Sequence, residues 1–320
     1  MKDFPSSFAA AAKAVDIVGV ACGRGLEDER CRQGPETLRR FGLVECLQAK
    51  DIQATWRHRL EAAPVSSGVP AMAAIADVST HLANRASEIV KQGHRLAVVG
   101  GDHSIAVGTW RGVAQALRPK GSLGLVWIDA HMDSHIPETT PSGNIHGMPL
   151  AALLGKGDPS LAAADPEGPA LDPNHLSLVG VRSFEPAEAE LLKRLGVRVY
   201  LMDEVKQRGL GVVLDEAVER ASTGTAGFGL SLDLDSIDPT QAPGVSMPVR
   251  GGLDVGELLP ALRRMGRDPN LVAMEVVEFN PARDRGDSTA RLVCDLLGEV
   301  FSSEVSDDEP GRSRTDLRRA

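Results

Sequence analysis

Seven short runs of this chain are apolar almost without interruption: AVDIVGV (14–20), RLAVVG (95–100), LGLVWID (123–129), LSLVGV (176–181), VRVYLM (197–202), FGLSLDLD (228–235) and LVAMEVVEF (271–279). A strand with one wet face alternates apolar and polar residues, whereas a strand covered on both faces has nothing to alternate. The runs therefore predict buried, mostly parallel strands. Amphipathic stretches lie between them, clearest at 70–92, 186–195, 210–221, 255–265 and 288–302, and Pro186 after SFE is a good helix start. Strand–helix alternation of this kind predicts an α/β fold: a three-layer α/β/α sandwich with a mostly parallel central sheet.

The 320 residues could form one large domain or two ordinary ones, and 42% hydrophobic content is enough for a sizeable core. The Gly/Pro/Ala/Asp-rich segment 155–175 reads as a long surface connection, because strands continue on both sides. One domain over 1–301 is expected, with 302–320 a charged, disordered tail. A net charge of −9 disfavours nonspecific attraction to nucleic acid or anionic lipid. Cys22, Cys31, Cys46 and Cys294 form no C-x-x-C pair, so a thiolate zinc site is not expected. The N-terminus has no continuous apolar signal-peptide region, and no run reaches the ~18 apolar residues of a membrane span. A cytoplasmic protein with reduced thiols is the expectation.

Three of the apolar runs finish in metal-ligand residue types. LAVVGGDHS ends in His103, LGLVWIDAHMD in Asp129, His131 and Asp133, and FGLSLDLDSIDP in Asp233 and Asp235. If the strands continue, residues two apart share a face, at the carboxyl edge where open α/β sheets bind ligands. Each piece alone has a plain reading as a turn or helix cap. Together they bring four carboxylates that would repel unless compensated. Two divalent cations supply the matching charge, as in two-metal hydrolytic sites. Oxygen-rich ligation with one imidazole per ion suits Mn²⁺, though Zn²⁺, Co²⁺, Ni²⁺ or Fe²⁺ could take the same ligands. His58, His81, His94 and His175 have no such neighbours and read as surface residues.

With GGDHS, DAHMD and SLDLDSIDP in place, the chain resembles the ureohydrolase (arginase/agmatinase) family, most of all its bacterial arginases. RQGPETLRRFGL near the N-terminus, SGNIHGMPL (142–150) and EFNP (278–281) are similar to further family segments, and the resemblance runs in order over about 14–300. It implies the arginase-like fold and two Mn²⁺ per subunit. His103 and Asp133 would serve one ion, and His131 and Asp235 the other, with Asp129 and Asp233 bridging. A hydroxide between the ions would attack the carbon of a small guanidino substrate. Glu278 would clamp the guanidinium, and His146 would carry a proton to the leaving amine. Asp102 and Asp238 would support the ligands, with a plain turn role open for Asp238. A homo-oligomer, trimer or hexamer, is implied as well.

At the substrate's amino-acid end the chain departs from the family pattern. His135 stands where arginases carry Asn, Glu185 where they often carry Asp, and Ser236 where they carry Gly; Ser142 and Asn144 are retained. His135, Ser142, Asn144 and Glu185 are the expected substrate-binding residues, with a solvent-facing loop position the plain alternative for His135. The expected reaction is L-arginine and water to L-ornithine and urea. Another guanidino compound, such as guanidinobutyrate or agmatine, and a non-catalytic metal-binding homologue are the alternatives.

Overall fold

The computed structural model describes residues 14–162 and 168–302; the rest of the charged tail, 303–320, lies outside the described residues. The strands are β1 (Ala14–Ala21), β2 (Gln53–Glu61), β3 (Arg95–Gly100), β4 (Leu123–Ile128), β5 (Leu176–Val181), β6 (Arg198–Leu201), β7 (Gly227–Asp233) and β8 (Leu271–Val277). They form one sheet in the order β2-β1-β3-β8-β7-β4-β5-β6. Every pairing is parallel. The helices are α1 (Gly34–Phe41), α2 (Leu43–Gln48), α3 (Ala71–Lys91), α4 (Ala106–Leu117), α5 (Pro149–Leu153), α6 (Pro159–Ala162), α7 (Pro186–Leu195), α8 (Met202–Arg208), α9 (Leu210–Ser222), α10 (Val255–Gly266) and α11 (Ser288–Phe301).

Side chains of each inner strand alternate between two cores. On β3, Ala97 and Val99 join the core under α1, α2, α9, α10 and α11, while Leu96 and Val98 join the one under α3, α4, α5 and α7. This is the three-layer sandwich that the unbroken apolar runs predict. All seven expected strands form.

Besides the short helices α1, α2, α5, α6 and α8, a strand and a longer helix were not among the elements expected. β2 sits at a sheet edge and shows mostly exposed, charged side chains around the buried Ala54, so no apolar run marks it. The mismatch also serves the fold, since charge on an edge strand discourages pairing with another chain. α4 is buried almost all round and has no polar face to give it a stripe. Its Gly108 and Gly112 lie against the α3 backbone: a Cβ there would come within 2.7 Å of Ser79 O and 2.3 Å of Ala83 O. The 155–175 connection is less superficial than expected, because Leu161 and Leu171 are buried. His94 is also more than a surface residue. Its Nδ1 lies 2.7 Å from the buried carboxylate of Asp16 on β1, which also accepts from Arg57 Nε at 2.8 Å.

The carboxyl ends of β1, β3 and β8 meet at Gly101. Asp102 N donates to Cys22 O at 3.0 Å and Glu278 N donates to Gly101 O at 2.7 Å. A Cβ on residue 101 would lie 1.6 Å from Cys22 O, so only glycine permits the approach. Gly101→Ala is expected to cost ~1–3 kcal/mol, the usual penalty of overpacking against unyielding backbone. A thermal melt identical to the parent chain's would show that the strand ends can separate freely.

Candidate active site

The three acid-rich segments lie at the carboxyl ends of β3, β4 and β7, and the strand order places β8 between β3 and β7. The spacing of two comes from turns rather than from continued pleating. β4 ends at Ile128, and β7 gives way to a tight turn at Leu234–Ser236. At each strand end an aspartate accepts the backbone N–H two residues on: Asp102 from Ser104 (2.9 Å), Asp129 from His131 (2.7 Å) and Asp233 from Asp235 (2.8 Å). This is turn chemistry natural to Asp, used three times over.

The turns converge on His103, whose side chain is fully buried. Its Nδ1 makes no hydrogen bond, yet it faces Asp129 Oδ2 at 3.3 Å, Asp133 Oδ2 at 3.1 Å and Asp233 Oδ2 at 3.1 Å. Its other nitrogen, Nε2, donates to Ser231 Oγ (3.0 Å), which donates to Glu275 (2.9 Å). That chain commits the ring proton to Nε2 and leaves a lone pair on Nδ1 among three carboxylate oxygens. A divalent cation in the gap would satisfy all four atoms.

Beside it, His131 Nδ1 lies 3.1 Å from Asp235 Oδ2 and 3.5 Å from Asp129 Oδ1. Asp129 thus turns one oxygen toward each imidazole, the geometry of a bridging carboxylate. Asp233 turns Oδ2 to His103 and uses Oδ1 to hold its own turn. The six residues fit a binuclear centre. Their electrostatics agree with that need. Burial drives the Asp133 and Asp233 carboxyls above the usual range, helped by neighbouring aspartates.

Glu278 and His146 close the other side. Glu278 Oε1 accepts from His103 N (3.0 Å) and lies 3.2 Å from His146 Nδ1. Its Oε2 is buried without a partner. Burial lowers the His146 pKa, but the Glu278 carboxylate outweighs it and lifts the imidazole to about 9. Glu278 (φ 66°) and Asp133 (φ 47°) both hold the left-handed backbone region that residues with side chains avoid, at a cost of ~1–3 kcal/mol each.

The expected substrate-binding residues are only partly assembled. His135 is buried rather than solvent-facing, and its Nε2 donates to Glu185 Oε2 at 2.9 Å. Glu188, missed in the sequence, lies 3.4 Å from the same nitrogen and is nine-tenths hidden, and burial pushes its carboxyl up to about 8. It accepts from Ser134 N and Glu185 N, tying the start of α7 to the ligand loop. This second His/Glu group differs from the first: His135 makes an aligned hydrogen bond, whereas His103 Nδ1 makes none. Ser142 and Asn144 lie on the outer loop, where Ser142 Oγ accepts from Asn144 N at 3.2 Å. Asp102 holds Gly25 N at 3.0 Å beneath His146. Asp238 is a turn residue that grips Thr240, Gly251 and Gly252.

An "Arginase family" model matches residues 13–302. The chain belongs to the arginase family. It is 36% identical to an arginase of Bacillus caldovelox over 301 residues, covering 92% of this chain and 99% of that protein. An arginase structure from Bacillus subtilis superposes with a TM-score of 0.83 at 32% identity, covering 92% of this chain and all of that one. An Entamoeba histolytica arginase in complex with L-ornithine superposes at 0.80 with 28% identity, covering 91% and 98%. The family membership makes this an amidinohydrolase acting on C–N bonds of linear amidines, built on the arginase fold.

Ser231, Glu275 and Trp127 carried no signal in the sequence because they sit inside strands with their apolar neighbours. Glu275 is fully buried and also accepts from Trp110 Nε1 (3.2 Å). Trp127 donates to Asp129 Oδ2 (2.9 Å) and stacks on the His103 ring at 4.2 Å. Ser231→Ala is expected to weaken divalent-ion affinity by ~10–100-fold, as loss of a support behind a ligand imidazole does. Competition against a chelator would measure it, and unchanged affinity would remove Ser231 from the centre.

Proposed function

We propose that this arginase-family enzyme hydrolyses L-arginine to L-ornithine and urea with two Mn²⁺ ions. His103, Asp129, Asp133 and Asp233 would hold one ion, and His131, Asp129, Asp233 and Asp235 the other. The ions, when bound, supply the Lewis acidity that brings the pKa of water near neutrality. The observation that carries the reading is Glu278 Oε2, a buried carboxylate oxygen with no partner beside the cation gap. A guanidinium is planar, charged and rich in N–H, and satisfies such an oxygen while remaining close to the six ligands. The strained backbone at Glu278 keeps the carboxylate aimed, so orientation is built in before substrate arrives.

His146 shares Glu278's other oxygen and holds its proton at neutral pH, ready to deliver it to the departing amine. Ser142, Asn144 and His135 would receive the substrate carboxylate, and Glu185 the α-ammonium. The curated relatives named arginase support arginine as substrate. A second reading comes from His135. Its Nε2 is committed to Glu185 and its Nδ1 lies 3.1 Å from Thr139 Oγ1. A Glu185 carboxylate already engaged by His135 favours an ω-guanidino acid without an α-amino group. The proposal also includes a homo-oligomer, trimer or hexamer, in the cytoplasm, and an active monomer in sedimentation would count against it.

Urea release from L-arginine, agmatine and 4-guanidinobutyrate, with and without Mn²⁺, decides the substrate. Arginine should exceed agmatine, which lacks the carboxylate, by up to ~10⁴–10⁵ where a buried polar partner is left unmet. Inertness toward arginine with good turnover of guanidinobutyrate would select the second reading. His146→Ala should lower kcat by ~10²–10⁴ with metal content intact. Full activity across pH would end the proton-carrier role.

A further inference from the structure

Arg182 follows β5 and reaches into the carboxyl edge of the sheet. Its guanidinium has five N–H donors, and all five are taken by main-chain carbonyls. Nε donates to Arg250 O (3.3 Å), Nη1 to Gly180 O (3.2 Å) and Ser236 O (3.1 Å), and Nη2 to Asp235 O (2.7 Å) and Val249 O (2.8 Å). No carboxylate is among its hydrogen-bond acceptors, so the side chain is not placed by an ion pair. Its backbone N–H donates to Ala130 O at 2.8 Å, followed by Ser183 N to the same oxygen at 3.0 Å. One residue therefore grips the turn carrying Asp129 and His131 with its main chain, and the turn carrying Asp233 and Asp235 with its side chain. The two turns also touch directly, where Ala130 N donates to Asp235 Oδ1 at 3.3 Å.

The segment at 249–252 completes the clamp. Leu253 N donates to Ser236 O (2.9 Å) and Asp238 N to Leu253 O (3.1 Å). A Cβ on Gly252 would lie 2.6 Å from Ser236 O and Asp238 N, so the two segments are in backbone contact. Asp238 Oδ2 accepts from Gly251 N (2.8 Å) on the outer side. A planar fork with five fixed donors can bind five carbonyls of three segments at once, and an ammonium cannot.

We infer that Arg182 is a positioning residue that sets the distance between the two ligand turns, and so the affinity of the ion shared by His131 and Asp235. The inference rests on the two-ion reading above. Arg182→Lys keeps the charge and the stem but loses the fork. Mn²⁺ affinity of the metal-free protein, by chelator competition, is measured beside its circular dichroism and melting curve. Arg182→Lys should stay folded and bind one of its two ions, that of His131 and Asp235, ~10–100-fold less tightly. Its kcat should fall with little change in KM, because the guanidinium clamp at Glu278 is untouched. A role confined to stability would lower the melting temperature and leave affinity at the wild-type value, and that result overturns the inference. If Arg182→Lys does not fold, Asp238→Ala, which frees the 249–252 segment from the exposed side, decides in its place. Weakened affinity then upholds the clamp and unchanged affinity removes it. Uptake of a single ion by the wild type would refute the two-ion reading instead, and the clamp would be judged by the same comparison on that ion.

Discussion

The rest of the molecule is arranged around one unfavourable act: gathering Asp129, Asp133 and Asp233 about the buried Nδ1 of His103. Ionised groups out of water cost several kcal/mol each unless hydrogen bonds and opposite charge compensate them. The protein supplies part of that compensation itself. Turn amides bind Asp129 and Asp233, and Trp127 donates to Asp129. The remaining shortage of positive charge is what suits the cluster to a cation rather than to a polar core.

Such a cluster requires rigid support, and the sheet provides it. The ligand turns leave β3, β4 and β7, strands whose side chains are buried on both faces. Behind His103 the Ser231–Glu275 chain fixes the ring proton, and Glu275 lies on β8, the same strand that delivers Glu278. One short strand thus supports the His103 cluster from within and presents Glu278 beside it from its end. The groups proposed for the far end of a substrate sit on loops and at a helix start. There His135, Glu185 and Glu188 are joined through hydrogen bonds. Chemistry on strand ends and discrimination on loops is the usual division of labour in α/β enzymes.

Much of this was legible in the sequence because it is local. Burial on both faces writes itself as unbroken apolar runs, so the inner strands could be read directly. Residue type and spacing also exposed the six acids and imidazoles that converge at the strand ends, while Glu278 and His146 came from the resemblance to the family. β2 escaped because its exposed edge carries charge instead of an apolar run, and α4 because burial all round erases the helical stripe. Glu188 escaped because Glu at the third position of a helix, after Glu185 and Pro186, also reads as ordinary capping. Arg182 escaped because its partners are carbonyl groups, which every residue possesses.

The sequence by itself determined the class of fold, the strand ends that carry chemistry, and the acids and imidazoles available there. Only the tertiary structure decided which atoms meet. His103 and Glu278 are 175 positions apart and come within 3.0 Å because β3 and β8 are neighbours in the sheet. No local rule sets that order, since it follows from how helices of both layers pack across the strands. The ring proton on His103, the left-handed backbone of Asp133 and Glu278, and the burial of His135 against Glu185 were settled in the same way. Each depends on a hydrogen-bond partner or a steric limit brought from a distant part of the chain, and such partners exist only after the layers have closed.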